Sequence, residues 1–443
     1  MKIAVVGSGA AGMTAAWLLQ RRHEVVVFER EPRIGGHAHT VDVREDGHRV
    51  SIDTGFIVYN ERNYPNLCGL FEQLRVPTQA SDMSFGASIG NGAIEYAGSD
   101  LNTLFGQRRN LMRPSHWSML REILRFNREA RAVLDDVAID EQTLGDFLVE
   151  RRFGRAMIDR YLMPMAAAIW SCPTAVMLDF PARSFLQFFH NHGLLDLNDR
   201  PQWRTVLGGS REYLQAMRAD FRGRIVTGEA VRGVRREQGG VRVRTDAGEH
   251  DFDQIVLACH ADETLTLLED GSFWERQLLG AFSYQPNRVL LHTDTALMPR
   301  RRRVWSSWNY LADRASTDER RVSVTYWMNR LQNLPTQRDY FVSLNPLHEP
   351  RPECVVGEYH YDHPVFRTGA LHAQHMLHRL QGDRQTWFCG AYFGYGFHED
   401  AVSSAVAVAG AFGIEAPWRE RGQVLPLRRA ARSVGSLGLA EAG

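Results

Sequence analysis

Six residues near the start of the chain, Gly7-Ser8-Gly9-Ala10-Ala11-Gly12, constrain its fold more than any others. They stand inside "KIAVVGSGAAGMTAAWLLQRRHEVVVFER", where Lys2–Val6 reads as a β-branched strand, Met13–Gln20 as an Ala/Leu helix and Val25–Glu29 as a second strand. Parallel strands need such a crossover. In a G-x-G-x-x-G turn the first glycine permits the tight bend, the second admits a pyrophosphate to the backbone, and the third lets helix and strand pack closely. The first helical turn, at Ala10 and Ala11, offers N–H groups and the positive end of the helix dipole to phosphate. Glu29 ends the second strand, where a carboxylate accepts hydrogen bonds from a ribose 2′-hydroxyl and repels a 2′-phosphate. Gly7, Gly9, Ala10, Ala11, Gly12, Glu29 and the adjacent Arg30 are therefore expected to hold a dinucleotide.

The next stretch decides which dinucleotide. "EREPRIGGHAHTVDV" brings Arg33, Gly35, Gly36, His37 and Thr40 soon after Glu29. A second glycine pair lets backbone approach the cofactor again, a cradle that NAD enzymes do not need. The stretch resembles the R-x-G-G-[RH]-x-x-T segment of the flavin amine oxidase superfamily, in which an arginine usually stands where His37 does here. The resemblance implies bound FAD, contacted by Gly35, Gly36, His37 and Thr40, and we add Gly55, Phe56 and Val231 to the same shell. It also implies that the other end of the chain returns to the first crossover unit. "TWFCGAYFGYGFHEDAVSSAVAVA" has that form. Phe388 and Cys389 end a strand, Gly390 turns the chain beside the cofactor, and a helix starts at Glu399–Val402 with Ala401 among its small packing residues. Its N-terminus would favour the negative charge of reduced flavin. The superfamily often carries an acid just after the strand-end glycine; here that residue is Ala391.

The fold class implied is α/β: a discontinuous Rossmann-like FAD-binding domain with an interleaved α+β substrate domain. We divide the chain into FAD-binding segments at 1–80, 205–275 and 380–418, a helical substrate region at 81–204, a β-rich substrate region at 276–379, and a basic, flexible tail at 419–443. "RPSHWSMLREILRFNREARAVLDD" carries apolar residues near the 3.6 period of a helix. "AVRGVRREQGGVRVRTDAGEHDFDQIVLAC" predicts three strands joined by glycine-containing turns.

Through "DTGFIVYNERNYPN", "AAAIWSCP", "FFHNHGLL", "RPQWRTVLGGSREY" and "YHYDHPVF", most of the chain resembles one bacterial branch encoded beside cyclopropane fatty acid synthases. The resemblance implies oxidation of, or double-bond rearrangement in, a fatty acyl chain or membrane lipid, with a synthase-type methyltransferase as partner. Bulky apolar residues between Phe85 and Phe189 suit a pocket for such a chain, and equally an ordinary core. Arginines in "LREILRFNREAR" and at Arg300–Arg303 suit phospholipid headgroups or plain solvation. His398, Tyr395 and Glu399 are the expected catalytic residues, with His398 as the proton carrier. Gly390, Phe397, His398 and Ala401 are expected to contact the cofactor, with Tyr395 and Phe397 as an aromatic wall facing the flavin. Tyr59, Asn60, Asn63, Tyr359 and His363 are further lining candidates. Amine oxidases commonly hold a water with a lysine on the strand matching "NRVLLHT"; Arg288 stands there, and Lys2 is the only lysine in the chain.

Two readings stay open beside this one: an amine oxidase releasing hydrogen peroxide, and a non-catalytic FAD-holding partner of a lipid methyltransferase. Other classes fall away on composition. A formal net charge of zero argues against nucleic acid as a partner. Five scattered cysteines lack C-x-x-C spacing, and His372, His375 and His378 on one helix lack a carboxylate partner, so no metal site is expected. A lone lysine at the head of a strand excludes pyridoxal-phosphate chemistry. No apolar run approaches the roughly 18–20 residues that cross a bilayer, and glycines interrupt the N-terminal apolar run. The expected location is the cytoplasm, with peripheral contact at the inner membrane face.

Overall fold

In the computed structural model, which describes residues 1–134, 136, 139, 142–170, 177–196, 200–313 and 321–418, Lys2–Val6 is the central strand of a five-stranded parallel sheet. Its neighbours are Glu24–Glu29 and Gln254–Leu257, and the edges are Arg224–Thr227 and Thr386–Phe388. Val5 lies in register between Val27 and Val256. Three remote segments thus build one sheet, the discontinuous α/β arrangement expected.

Period-two alternation sends Ile3, Val5, Val25, Val27 and Val256 to one face, and Ala4, Val6, Val26, Phe28, Ile255 and Leu257 to the other. Helix Ala10–Leu19 and the closing helix His398–Ala411 cover the first face and lie against each other, with Ala11, Ala15, Ala401 and Ala405 buried in their common core. Only short side chains allow so close an approach. An antiparallel meander, Val231–Glu237, Gly240–Thr245 and Gly248–Phe252, covers the second face. Phe252 meets Phe28 edge to face at 5.9 Å. The stretch expected to hold three strands holds four: this meander, with two-residue turns at Gln238-Gly239 and Asp246-Ala247, and Gln254–Leu257 of the first sheet.

A second sheet runs Val355–Val365, Ser283–His292, Phe341–Leu344, Val322–Trp327, Trp308–Ala312, Phe85–Ile89 and Ile94–Ala97. Its pairs are antiparallel except Trp308–Ala312 with Phe85–Ile89. The stretch from residue 81, expected to be helical, therefore opens with two strands. Strands of five and four residues give too short a pattern to separate from a buried helical turn. Helices follow at Pro114–Ala132, Leu144–Glu150, Met163–Trp170 and Ala182–Asn191, packing Phe126, Phe147, Phe185 and Phe189 into one core. The hairpin of Thr40–Glu45 and His48–Asp53 shares a core with the second sheet through Val43, Val50 and Ile52 against Val289 and Leu291. Among the described residues no helix is long and apolar enough to cross a membrane. The tail at 419–443 and the end of "AAAIWSCP" at 171–173 lie outside the described residues.

Candidate active site

Each glycine of the first turn has its own physical reason. Gly7 adopts φ +97°, where a β-carbon would also meet the Ala258 carbonyl oxygen at 3.1 Å. A β-carbon on Gly12 would stand 2.0 Å from the Gly7 oxygen, so only glycine lets the helix sit this close to the strand. Around Gly9 nothing lies within 4 Å of that position, and the helix starting at Ala10 has no side-chain cap. Ala10 and Ala11 form its buried first turn. The Glu29 carboxylate accepts hydrogen bonds from the Ser8 backbone N–H (3.0 Å), the Ser8 hydroxyl and the Glu31 N–H (2.9 Å), which fixes the turn to the end of the second strand. Arg30 points outward and pairs with Glu263 at 2.6 Å.

The second glycine pair lies on the first turn. Gly35 donates its N–H to the Ser8 carbonyl at 3.0 Å, and a β-carbon on Gly36 would reach the Gly9 Cα at 3.3 Å. His37 follows, its Nε2 buried without a hydrogen-bond partner. Gly55 presses on the His37 backbone, since its β-carbon would stand 2.1 Å from the His37 oxygen. Phe56 donates its N–H to that oxygen at 2.8 Å and stacks its ring on His398, with centroids 3.7 Å apart and planes 14° apart. Residues 9, 36, 37, 56 and 398 therefore meet, as the resemblance implied. Besides Arg30, two further assigned residues point elsewhere. The Thr40 hydroxyl donates to buried Asp53 (2.6 Å) and accepts from the Arg211 N–H (3.0 Å), which ties the hairpin to the 209–211 turn; this replaces the cofactor contact expected of it. Val231 puts its side chain in the core beneath the first sheet.

The late turn is held from within. Gly390 donates its N–H to the Ser404 hydroxyl (2.9 Å), and Asp400 accepts from the Tyr395 and Phe397 N–H groups, each at 2.9 Å. The helix opens at His398, one residue before the expected start. Ala401 is buried against the first helix. Glu399, expected to be catalytic, has both carboxylate oxygens committed. They accept from the Asn66 N–H (3.0 Å), the Asn66 amide (2.8 Å), the Leu67 N–H (2.9 Å) and the Ser403 hydroxyl (3.0 Å). It clamps helix Pro65–Leu74 to the closing helix. Burial holds its pKa above the usual carboxylate range, partly offset by those donors.

Phe397 stacks on Phe188 (5.1 Å, 21°), which also carries His192 on its face (3.8 Å, 24°) and Tyr395 at its edge (5.8 Å, 70°). The expected aromatic wall is thus shared between the late turn and helix Ala182–Asn191. His398 follows Phe397 in the chain; its ring stacks on Phe56 and lies 3.4 Å from the Tyr213 hydroxyl, and burial pushes its pKa down to about 3. On the other side Tyr359, Tyr361 and His363 alternate along one strand. Tyr361 and His363 approach the His37 ring at 5.0 and 5.5 Å, and the Tyr361 hydroxyl lies 2.8 Å from His39 Nδ1 and 2.7 Å from the Thr54 hydroxyl. Burial lowers His39 and His363 to about 4. His37 falls well below its ordinary value through burial and the neighbouring His363, His260, His398 and Arg33. These imidazoles are neutral near pH 7.

Arg288 is not at the site. Its guanidinium pairs with Glu349 (2.6 Å) and Glu358 (2.9 Å) on the outer face of the strand, and those hydrogen bonds raise its pKa. The inward residue is its neighbour Asn287, fully buried and donating its amide to His363 Nδ1 at 2.9 Å. Sequence reasoning missed Asn287, Tyr361, His192 and Tyr213, while Phe188 was among the apolar residues expected to suit a pocket. For Tyr361 the signal was present, because "YHYDH" places Tyr359, Tyr361 and His363 on one face of any strand.

Open space over Gly9, an uncapped helix start and a partnerless imidazole nitrogen beside a second glycine pair fit a pyrophosphate and the chain of a flavin dinucleotide. The model of the flavin-containing amine oxidoreductase family matches residues 10–411. The chain belongs to that family. Members of that family bind FAD, the cofactor that these residues fit. AofH of Mycobacterium tuberculosis, named for a flavin-containing monoamine oxidase, is 29% identical over 269 residues, covering 58% of this chain and 56% of that protein. The carotenoid phi-ring synthase of Streptomyces griseus is 28% identical over 277 residues, covering 58% and 52%. The chain thus spans about half the length of the curated relatives it matches. Among solved structures, putrescine oxidase bound to putrescine has a TM-score of 0.67 at 16% identity, covering 93% of this chain and 99% of that one. The fatty acid isomerase from P. acnes that produces CLA scores 0.64 at 14% identity, covering 93% and 98%. These likenesses establish the shared fold of the flavin amine oxidoreductases.

Proposed function

We propose that this flavin amine oxidoreductase acts on a fatty acyl chain, dehydrogenating it or moving a double bond in a methylated or cyclopropanated lipid. The observation that carries the reading is the wall beside His398. Phe188, Tyr395 and Phe397 form it with the neutral ring of His192, whose pKa burial lowers to about 4. A cationic amine is best met by a free carboxylate or another hydrogen-bond acceptor there. Glu399 is spent on helix Pro65–Leu74, Asp400 holds the turn, and Arg288 faces outward. FAD, when bound, supplies the hydride-accepting chemistry. The chain itself orients an apolar substrate against the aromatic wall, excludes water from it, and holds a proton-accepting imidazole at His398 Nε2. Two similar proteins with lipid-like products in their names, the carotenoid phi-ring synthase and the fatty acid isomerase, support the reading. A cyclopropane synthase-type methyltransferase would supply the modified chain.

The test is anaerobic mixing of the yellow protein with unsaturated or cyclopropanated fatty acids, and separately with putrescine. Flavin bleaching is followed in the spectrometer and products by mass spectrometry. Altered fatty acid with inert amine is the expected result. Bleaching by amines, with hydrogen peroxide released in air, would replace this reading with amine oxidation. His398→Ala should retain flavin and lose about 100-fold in turnover; an unchanged rate removes His398 from the chemistry.

A further inference from the structure

Five of the twelve large apolar side chains exposed among the described residues fall between residues 101 and 124: Leu101, Leu111, Met112, Trp117 and Leu124. Met112 is 87% exposed and Leu101 75%, values at which a side chain has almost no protein around it. Single exposed apolar residues are ordinary, but such a group on one segment marks an interaction surface. The segment is built rather than slack. Trp117 donates its indole N–H to the Leu111 carbonyl at 2.9 Å, and its ring packs on Phe105 at 5.1 Å.

Cations surround these side chains. Arg108, Arg109, Arg113 and Arg160 have no carboxylate within ion-pair distance among the described residues. Arg113 lies within electrostatic reach of Arg109, Arg160 and Arg301. Arg113, Arg160 and Ser115, together with Met112, line a cleft of about 390 Å³. The Arg300–Arg303 run adjoins the same face, because Gly92 abuts the Arg300 side chain and helix Leu101–Leu104 packs on Arg302–Val304. Within it Arg301 pairs with Glu95 (2.6 Å) and Arg302 with Asp339 (3.3 Å), so among the described residues Arg300 and Arg303 add the uncompensated charge.

We propose that the face formed by residues 101–117 and Arg300–Arg303 docks on a bilayer containing anionic phospholipid. Guanidinium groups match lipid phosphates, and Leu111, Met112 and the Trp117 indole enter the headgroup boundary, where both kinds of group are satisfied together. A nucleic acid or a soluble phosphate would meet the arginines and leave the apolar residues in water. The surface rests on the lipid reading only for its purpose, namely bringing the enzyme to acyl chains. Vesicle binding is scored without turnover, so either idea can fail alone.

The experiment is sedimentation of the full FAD-loaded chain with vesicles of phosphatidylglycerol mixed with phosphatidylcholine, and with phosphatidylcholine alone. Binding should be at least ~10-fold stronger to the mixed vesicles and fall as salt rises. The double change Leu111→Asp and Met112→Asp should weaken it at least ~10-fold. Arg109→Gln with Arg160→Gln should weaken it similarly. Phe273→Asp, at an exposed apolar position outside this face, should leave it unchanged. Flavin absorbance and circular dichroism check that each variant is folded. Failure to sediment with either vesicle overturns the proposal. So does equal binding to both, and so does displacement by duplex DNA with the Leu111/Met112 variant unaffected.

Discussion

The early and late glycine turns use the same residue type for opposite purposes. In the first, Gly9 has empty space where a side chain would go, and the adjoining helix end is uncapped. In the second, the glycines are filled against the chain itself. A β-carbon on Gly394 would stand 2.0 Å from Asp400 Oδ1, one on Gly396 3.1 Å from Pro364, and one on Gly390 2.6 Å from the Tyr392 ring. Gly7 and Gly12 of the first turn are packed on backbone just as tightly, so within it Gly9 alone is shaped for something that arrives, whereas the three late glycines all serve their own turn's closure. Glycine in a motif is therefore evidence of close approach, and only the surroundings say by what.

Four measurements, ordered by their effect on the stability of the folded chain, would break or sharpen that contrast. Gly12→Val should be worst, costing more than about 4 kcal/mol, because its collision is with backbone that cannot move. Soluble yield and far-ultraviolet circular dichroism read the loss. Gly394→Ala meets the Asp400 side chain from its carboxylate to its β-carbon, which must shift together with the turn it holds, so about 1–3 kcal/mol is expected from denaturant titration. A cost equal to that of Gly12→Val would break the contrast. Third comes acid. His39, His192, His292 and His363 are held at about 4 and His398 at about 3, all chiefly by burial. Unfolded imidazoles take protons near about 6.5, so in this window the unfolded chain binds more protons than the folded one. Stability should be full above about pH 6.5 and decline toward about pH 4. Asp53, raised by burial to about 6, and Glu399, also raised by burial, work the opposite way, but they are two groups against these five imidazoles and His37. A lower Tm at about pH 5 than at about pH 7.5, with a shallower slope in His363→Gln, is the expected record. Smallest is Gly9→Val. Nothing stands in its way, so the flavin-free protein should change by less than about 1 kcal/mol. The purified protein should nevertheless be colourless, and retained yellow would mean that the early turn is not the cradle.

The opening crossover unit was legible in the sequence because its β-branched runs, glycines and alanine helix agree on one structure. The 231–252 meander was legible from its alternation and turns. Phe85–Ile89 was not, because its partner Trp308–Ala312 lies more than two hundred residues away and nothing local encodes that pairing. Within the site, the meeting of Gly9, Gly36, Phe56 and His398 followed from the motifs. Arg288 failed by a single residue, and in a strand one residue is the difference between the two faces. Glu399 shows a different limit. A carboxylate beside an expected cofactor reads as chemistry, and its hold on helix Pro65–Leu74, remote in sequence, has no local signal.

The five-stranded sheet takes its last strand, Thr386–Phe388, and one of its covering helices from the far end of the chain. During synthesis the early glycine turn must leave the ribosome hundreds of residues before the pieces that complete its enclosure. The nascent protein spends that interval with an unfinished hydrophobic sheet, and prosthetic-group capture becomes the final event of its maturation. Any chain stalled before residue 386 would be released without its pigment.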